Sequence, residues 1–201
     1  PVHGRPLSRH MAKRVLEVSV PTLVALPPEP HPRWQALKDL PLRKISYPES
    51  AEGLSGTLRA AVADLPPTVT HLCVVLADLP ELAPVDFAQL FEHRRQYADC
   101  LIWRSLSPNG KPAHPTLFHR DTFPAFAQIS GDVGAQPVIA KFKSALHEST
   151  SSRLARSYDI DTPPDYKTYL KSQISAYHLG RRRSKFAQNT RHKKKHNNQQ
   201  K

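Results

Sequence analysis

At 201 residues the chain has room for one domain with a substantial core, and with no apolar run of eighteen residues it excludes a helical membrane span. Its opening residues lack the charged-then-apolar order of a signal peptide, and its two cysteines, Cys73 and Cys100, lack the spacing of a disulfide framework or a zinc site, which suits a reducing cytoplasm. The formal net charge is +12, but nine of those positive charges fall between Leu179 and Lys201, where no acid occurs, so the body is only mildly basic.

In chain order, "RPLSRHMAKRVLEV" places Leu7, Met11, Val15 and Val18 at helical spacing. "TLVALP" reads as a short buried strand, "HPRWQALKDL" as a brief helix and "LRKISYP" as a second strand. After the loop "ESAEGLSG", a helix is expected over Thr57–Asp64, ended by Pro66-Pro67. "HLCVVLA" from His71 is a uniformly apolar strand that runs into Asp78. A helix follows over "PVDFAQLFEHRRQYA", with Pro84 suited to its first turn. "DCLIWRS" and "HPTLFH" are strands joined by a turn at Asn109-Gly110. Two further helical stretches flank a last strand expected near "RSYDID", and "PPDYKTYLKSQISAY" closes the body. No internal repeat is visible.

Strands that alternate with helices imply a mostly parallel sheet covered on both faces, which explains why "LCVVLA" is apolar throughout. Ligands of such sheets sit at the carboxyl ends of the strands. Asp78 falls just past one such end. As a helix cap it fits poorly, because the next helix starts only near Pro84. A second carboxylate group, Asp159 and Asp161, surrounds the expected last strand, although Asp161-Thr162-Pro163 also reads as a helix cap. Two carboxylates at strand ends suit one Mg²⁺ that takes its other ligands from phosphate and water. Gly53, Ser55 and Gly56, and likewise Gly131, Asp132 and Gly134, precede helices and would leave amides and a hydroxyl for an anion or a base edge.

Taken together, "GRPLSRHMAKRVL" (4–16), "GLSGTLRAAVADLP" (53–66), "VVLADLPELAP" (74–84), "PAHPTLFHRDTFP" (112–124), "SGDVGAQPVI" (130–139) and "DIDTPPDY" (159–166) resemble the molybdopterin nucleotidyltransferase-like family, nearest its molybdenum cofactor cytidylyltransferase branch. The resemblance spans about residues 4–170 in the family's order. It implies a Rossmann-like three-layer fold over residues 1–177 and transfer of a nucleoside monophosphate from an NTP, CTP before GTP, to a phosphorylated acceptor such as molybdopterin. It further implies that Asp78 and Asp161 hold Mg²⁺ and are the catalytic carboxylates. Gly53, Leu54, Ser55, Gly56 and Leu58 would lie against the nucleotide, with His114, Pro115, Gly131, Asp132 and Gly134 on the acceptor side.

Two departures stand out. The family's opening strand and its loop L-A-A-G-x-S-x-R-M-G-x-x-K have no counterpart before Gly4, and Gln136 stands where a basic residue is frequent. The first strand of the sheet is therefore expected to be missing from these residues. A non-catalytic binding module stays open as an alternative, as does a sugar-phosphate or methylerythritol-phosphate cytidylyltransferase. Residues 178–201 have no counterpart in the family. Rich in Lys, Arg, Asn and Gln, with Phe186 as their one aromatic, they are expected to be a disordered tail with at most weak, salt-sensitive polyanion binding.

Overall fold

The computed structural model describes residues 4–151, 160 and 162–171. Its first elements are α1 (Leu7–Leu16), β1 (Leu23–Ala25), α2 (Pro32–Leu37), β2 (Arg43–Ile45) and α3 (Leu54–Ala63). These are followed by β3 (His71–Val74), α4 (Pro84–Gln96), β4 (Ile102–Leu106) and β5 (Pro112–His119). The short helices α5 (Phe123–Phe126) and α6 (Gln136–Lys141) lead to β6 (Leu146–Thr150).

Among the described residues the strands form two sheets. β1 and β2 pair in parallel, while the second sheet has the order β3-β5-β4-β6. Within the latter only β5 runs against the others, since β3 and β4 pair with it antiparallel and β6 lies parallel to β4. The carboxyl ends of β3, β4 and β6 therefore share one edge. The Asn109-Gly110 turn closes the β4–β5 hairpin as expected: Gly110 has φ +75°, and the Ser107 amide donates to the Lys111 carbonyl at 2.9 Å.

Strand alternation divides the core into two layers. Ile102 and Phe118 face Leu58 of α3, Phe126 of α5 and Val138 of α6. Their neighbours Trp103 and Leu117 face the other way, toward Leu90 of α4. On that same α4 side Met11 of α1 packs with Leu79, Leu82 and Phe87. Ala12, the next residue of α1, packs instead with Leu26 and with Leu37 of α2. The result is a three-layer, Rossmann-like α/β arrangement with parallel-rich sheets.

Several expectations are corrected. A strand not expected from sequence, β6, is present at Leu146–Thr150, whereas the strand expected near "RSYDID" lies outside the described residues except for Ile160. "LHEST" did not read as a strand because an edge strand needs only one apolar face. Its partner β4 supplies the cross-strand pair Arg104–Glu148, with Nε to Oε1 at 2.9 Å. Helix α3 starts at Leu54 rather than Thr57. The apolar β3 is half-buried along its length rather than fully buried. Cys73 shares that half-buried state, yet burial of its thiol pushes the pKa up to about 12. Both cysteines are free thiols.

Residues 162–171 belong to a separate unit and contain a helix from 163. Asp165 Oδ2 accepts from the Thr162 amide at 2.8 Å, and the Asp165 amide donates back to Thr162 Oγ1 at 3.4 Å. This reciprocal pair makes Thr162 the cap of that helix. Asp159, Asp161 and the basic stretch 179–201 lie outside the described residues. Among the described residues, no helix is long and apolar enough to cross a membrane.

Candidate functional site

Asp78 sits in the turn between β3 and α4, at the shared carboxyl edge of the sheet. The turn is pinned on both sides. Before it, His114 of β5 donates from Nδ1 to the Val74 carbonyl at 3.3 Å. After it, His10 of α1 donates from Nε2 to the Pro80 carbonyl at 3.1 Å. Leu79, Pro80 and Leu82 are buried and hold the turn down against α1 and α4. The helix that follows is capped by another residue, Asp86, whose Oδ2 accepts from the Ala83 amide at 2.8 Å. Asp86 is 2% exposed, and Ser151 Oγ, just past β6, lies 3.5 Å from its Oδ1. Capping α4 is therefore not the work of Asp78.

Asp78 Oδ1 is shut away from solvent. A hard anionic oxygen in such a place suits Mg²⁺ or Mn²⁺. Among the described residues no three His, Cys, Asp or Glu side chains converge on one cation position. A site with so few protein ligands among the described residues suits a cation that completes its shell from phosphate oxygens and water.

The two glycine loops, nearly eighty residues apart in sequence, meet in space. The Leu54 amide donates to Asp132 Oδ1 at 3.0 Å, and the Ser55 amide to the Gly131 carbonyl at 3.1 Å. Ser55, fully buried, donates from Oγ to the Gly134 carbonyl at 3.4 Å. In the reverse direction the Gly131 amide donates to Glu52 Oε1 at 2.9 Å. Each loop thus offers a carboxylate to an amide of the other. The first amides of α3 and the Ser55 hydroxyl, expected to be open to a ligand, are engaged within the protein.

Close approach dictates the glycines. A Cβ on Gly53, whose φ is +109°, would stand 2.9 Å from Asp132 Oδ1, and one on Gly134 would stand 2.9 Å from Leu54 Cδ2. Leu58 lies below, in the α3 core cluster. Arg59 completes the arrangement from one turn further along α3. It donates to the Ile129 carbonyl at 2.7 Å and pairs with Glu52 at 2.5 Å. That guanidinium, and secondly the Gly131 amide, hold the Glu52 carboxyl below its ordinary range.

Glu52 and Arg59 were not singled out in sequence. The signal available was an acid just ahead of a helix and a base seven residues on, a pattern too common to mark a loop–loop junction. Leu54, Val74 and Ala135 all pack on the α3–α5 core cluster, so both loops and the end of β3 rest on one foundation. Pro115, buried, follows the cis His114-Pro115 bond on β5. Asp161 lies outside the described residues.

Residues 1–149 match the family model described as "MobA-like NTP transferase domain". No curated protein matches the chain in sequence. Among solved structures, the chain is similar to Rv0371c of Mycobacterium tuberculosis H37Rv in complex with manganese, at 20% identity and a TM-score of 0.65, covering 84% of this chain and 93% of that one. It is similar to a nucleotidyl transferase, Mth528, from Methanothermobacter thermautotroptrophicus, at 17% identity and a TM-score of 0.70, covering 88% and 84%. It also resembles CMP:2-keto-3-deoxy-manno-octonic acid synthetase complexed with CTP, at 14% identity and a TM-score of 0.66, covering 85% and 89%. At these identities the likeness is one of fold.

Proposed function

Because the chain belongs to the family of MobA-like NTP transferase domains, we propose that it moves a nucleoside monophosphate from an NTP, CTP before GTP, to a phosphorylated acceptor such as molybdopterin. The observation that carries this reading is Asp78, a partly shielded carboxylate in a pinned turn at the carboxyl edge of a parallel-rich sheet. An ionised phosphate oxygen of the acceptor forms a bond to the α-phosphorus while the α–β bridging bond breaks, and pyrophosphate leaves with the electron pair. Mg²⁺, when bound, offsets charge that grows on the leaving pyrophosphate.

Asp78 would hold that cation, with Asp161 as a second carboxylate from the following segment. Gly53, Leu54, Ser55, Gly56 and Leu58 would form the wall on which the base lies. His114, Pro115, Gly131, Asp132 and Gly134 would border the acceptor. Since Nδ1 of His114 is committed to the Val74 carbonyl, its role is to position the strand ends, and an ionised acceptor needs no general base. The clasp between the two loops supports a single surface on which nucleotide and acceptor sides adjoin.

A sugar-phosphate cytidylyltransferase is the second reading, favoured by likeness to the synthetase solved with CTP. A module that binds but does not transfer is the third, favoured by the engaged amides of α3. The test is pyrophosphate release with Mg²⁺, each of the four NTPs, and either molybdopterin or phosphorylated sugars. Release with CTP and molybdopterin supports the proposal. Release only with a sugar phosphate, or CTP binding without release, overturns it in favour of the second or third reading.

A further inference from the structure

The edge of the sheet opposite to Asp78 carries a second group of polar side chains. There His71, the first residue of β3, stands in register with His119, the last of β5. Their rings meet edge to face, with centroids 4.9 Å apart. Arg94 and Arg95 come from the last turn of α4, Ala98 from the turn after it, and the buried Trp103 of β4 supplies an apolar wall. Together they line a cleft of about 260 Å³. Pockets for drug-sized ligands hold roughly 300–1,000 Å³, so this one suits a compact molecule.

Hydrogen bonds fix the donors of the cleft. Arg94 donates from Nε to His71 Nε2 at 3.1 Å, so the His71 proton sits on Nδ1, 3.0 Å from Thr70 Oγ1. His119 Nδ1 accepts from the Asp121 amide at 3.3 Å, which leaves the proton of the neutral ring on Nε2. Among the described residues, no hydrogen-bond acceptor meets that Nε2–H or the terminal nitrogens of Arg94, and no carboxylate pairs with Arg94. Arg95 differs, for its charge is shared with Glu92, Nε to Oε2 at 3.0 Å. A cation in the last turn complements the helix dipole whatever it touches. Arg94 is instead held by its Nε against a neutral imidazole, with its terminal fork beside a second N–H donor. That combination matches a phosphate group.

We propose that this cleft binds the phosphate group of a compact ligand. Arg94 grips it with both terminal nitrogens, His119 donates from Nε2, and His71 holds the guanidinium in position. The organic part of a small phosphate ester rests on Ala98 and Trp103. The charged groups around His71 are Arg94 and Arg95 of α4, with Glu92 on Arg95, and His119 of β5, with Asp121 on its Nδ1. Burial, Arg94 and His119 oppose a proton on His71, and a bound phosphate offsets the two positive neighbours.

The test uses neither Mg²⁺ nor NTP, so its outcome is independent of the proposed transfer. Histidine ring signals of the 201-residue chain are followed by NMR at neutral pH, with chloride holding the ionic strength constant. Inorganic phosphate, glycerol 3-phosphate and acetate are added in turn. Both phosphates should move the His71 and His119 signals saturably, acetate should not, and the tighter of the two names the source of the phosphate group. Phosphate should also raise the titration midpoint of His71 relative to chloride. Arg94→Gln and His119→Gln should each weaken binding about 10-fold, the worth of a hydrogen bond to a charged group. Circular dichroism checks both variants, and either one that folds carries the test. Signals that move no more with phosphate than with acetate, a drift without saturation, or unchanged affinity in a folded variant would each overturn the proposal.

Discussion

Asp132 reaches across from its own loop to accept the Leu54 amide at 3.0 Å, so the N-terminus of α3 is closed by a carboxylate from a distant part of the chain. This side chain does for α3 what Gly53, at the N-cap position, cannot. Replacement of Asp132 by Ala should lower stability by about 1 kcal/mol, the ordinary worth of a helix cap. Asn, which keeps an acceptor oxygen, should recover most of it. Thermal melts of the two variants decide the matter, and equal losses would mean that the contact is incidental.

Gly56 makes a sharper prediction. A Cβ there would meet the Glu49 carbonyl oxygen at 2.0 Å, a backbone atom that cannot rotate away. Gly56→Ala should therefore destabilise by about 2 kcal/mol or more despite the better helix propensity of Ala. A gain in melting temperature would show that the short turn over Pro48–Glu52 yields easily.

In a form of the chain that binds NTP, Asp78→Ala should abolish Mg²⁺-dependent transfer and leave the circular dichroism spectrum unchanged. Asp161→Ala should weaken transfer severely. Near-normal turnover by Asp78→Ala would remove the carboxylate from the proposed site.

Acid should loosen the α4 side of the molecule before it breaks the carboxylate ion pairs. His71 has its pKa lowered from 6.5 to about 4, first by burial and then by the positive neighbours Arg94 and His119. His147 is lowered likewise, by burial and then His93. A histidine with a depressed folded pKa adds stability only while neutral, so its contribution is complete above about pH 6.5 and is lost as pH falls toward 4. Glu52 and Asp64, whose pKa values are also lowered, lose theirs at more acid pH, as they protonate. Melting temperature should decline across the pH 6.5 to 4 window, and less steeply in His71→Gln. Parallel profiles for the two proteins would rule out His71 as the cause.

Deletion of residues 179–201 should leave the melting temperature unchanged, since that stretch carries charge without apolar anchors. Any nucleic-acid binding should disappear with it and should fall steeply with salt. Binding that survives the deletion would put the basic surface on the folded body.

The parts of the fold legible in sequence are those where one residue type has one physical use. Pro84 opens α4, Asn109-Gly110 turns the hairpin, and an apolar run without charge gives β3. The location of Asp78 followed from the end of that run. What escaped depends on partners far away in sequence. β6 is polar enough to pass for a loop until Arg104 is set opposite Glu148. The amides of Leu54 and Ser55 read as available until Gly131 and Asp132 fold onto them. Local pattern carries the elements, whereas the clasp exists only once the sheet has aligned its two loops.

Cys73 lies where β3 meets both α1 and α4. Its thiol stays protonated far above neutral pH because it is enclosed between β3 and the helices α1 and α4. A protonated, enclosed sulfur is inert toward alkylating reagents. Alkylation of Cys73 should therefore be slow near neutral pH, and an acceleration of labelling on mild destabilisation would time the parting of that layer from the sheet.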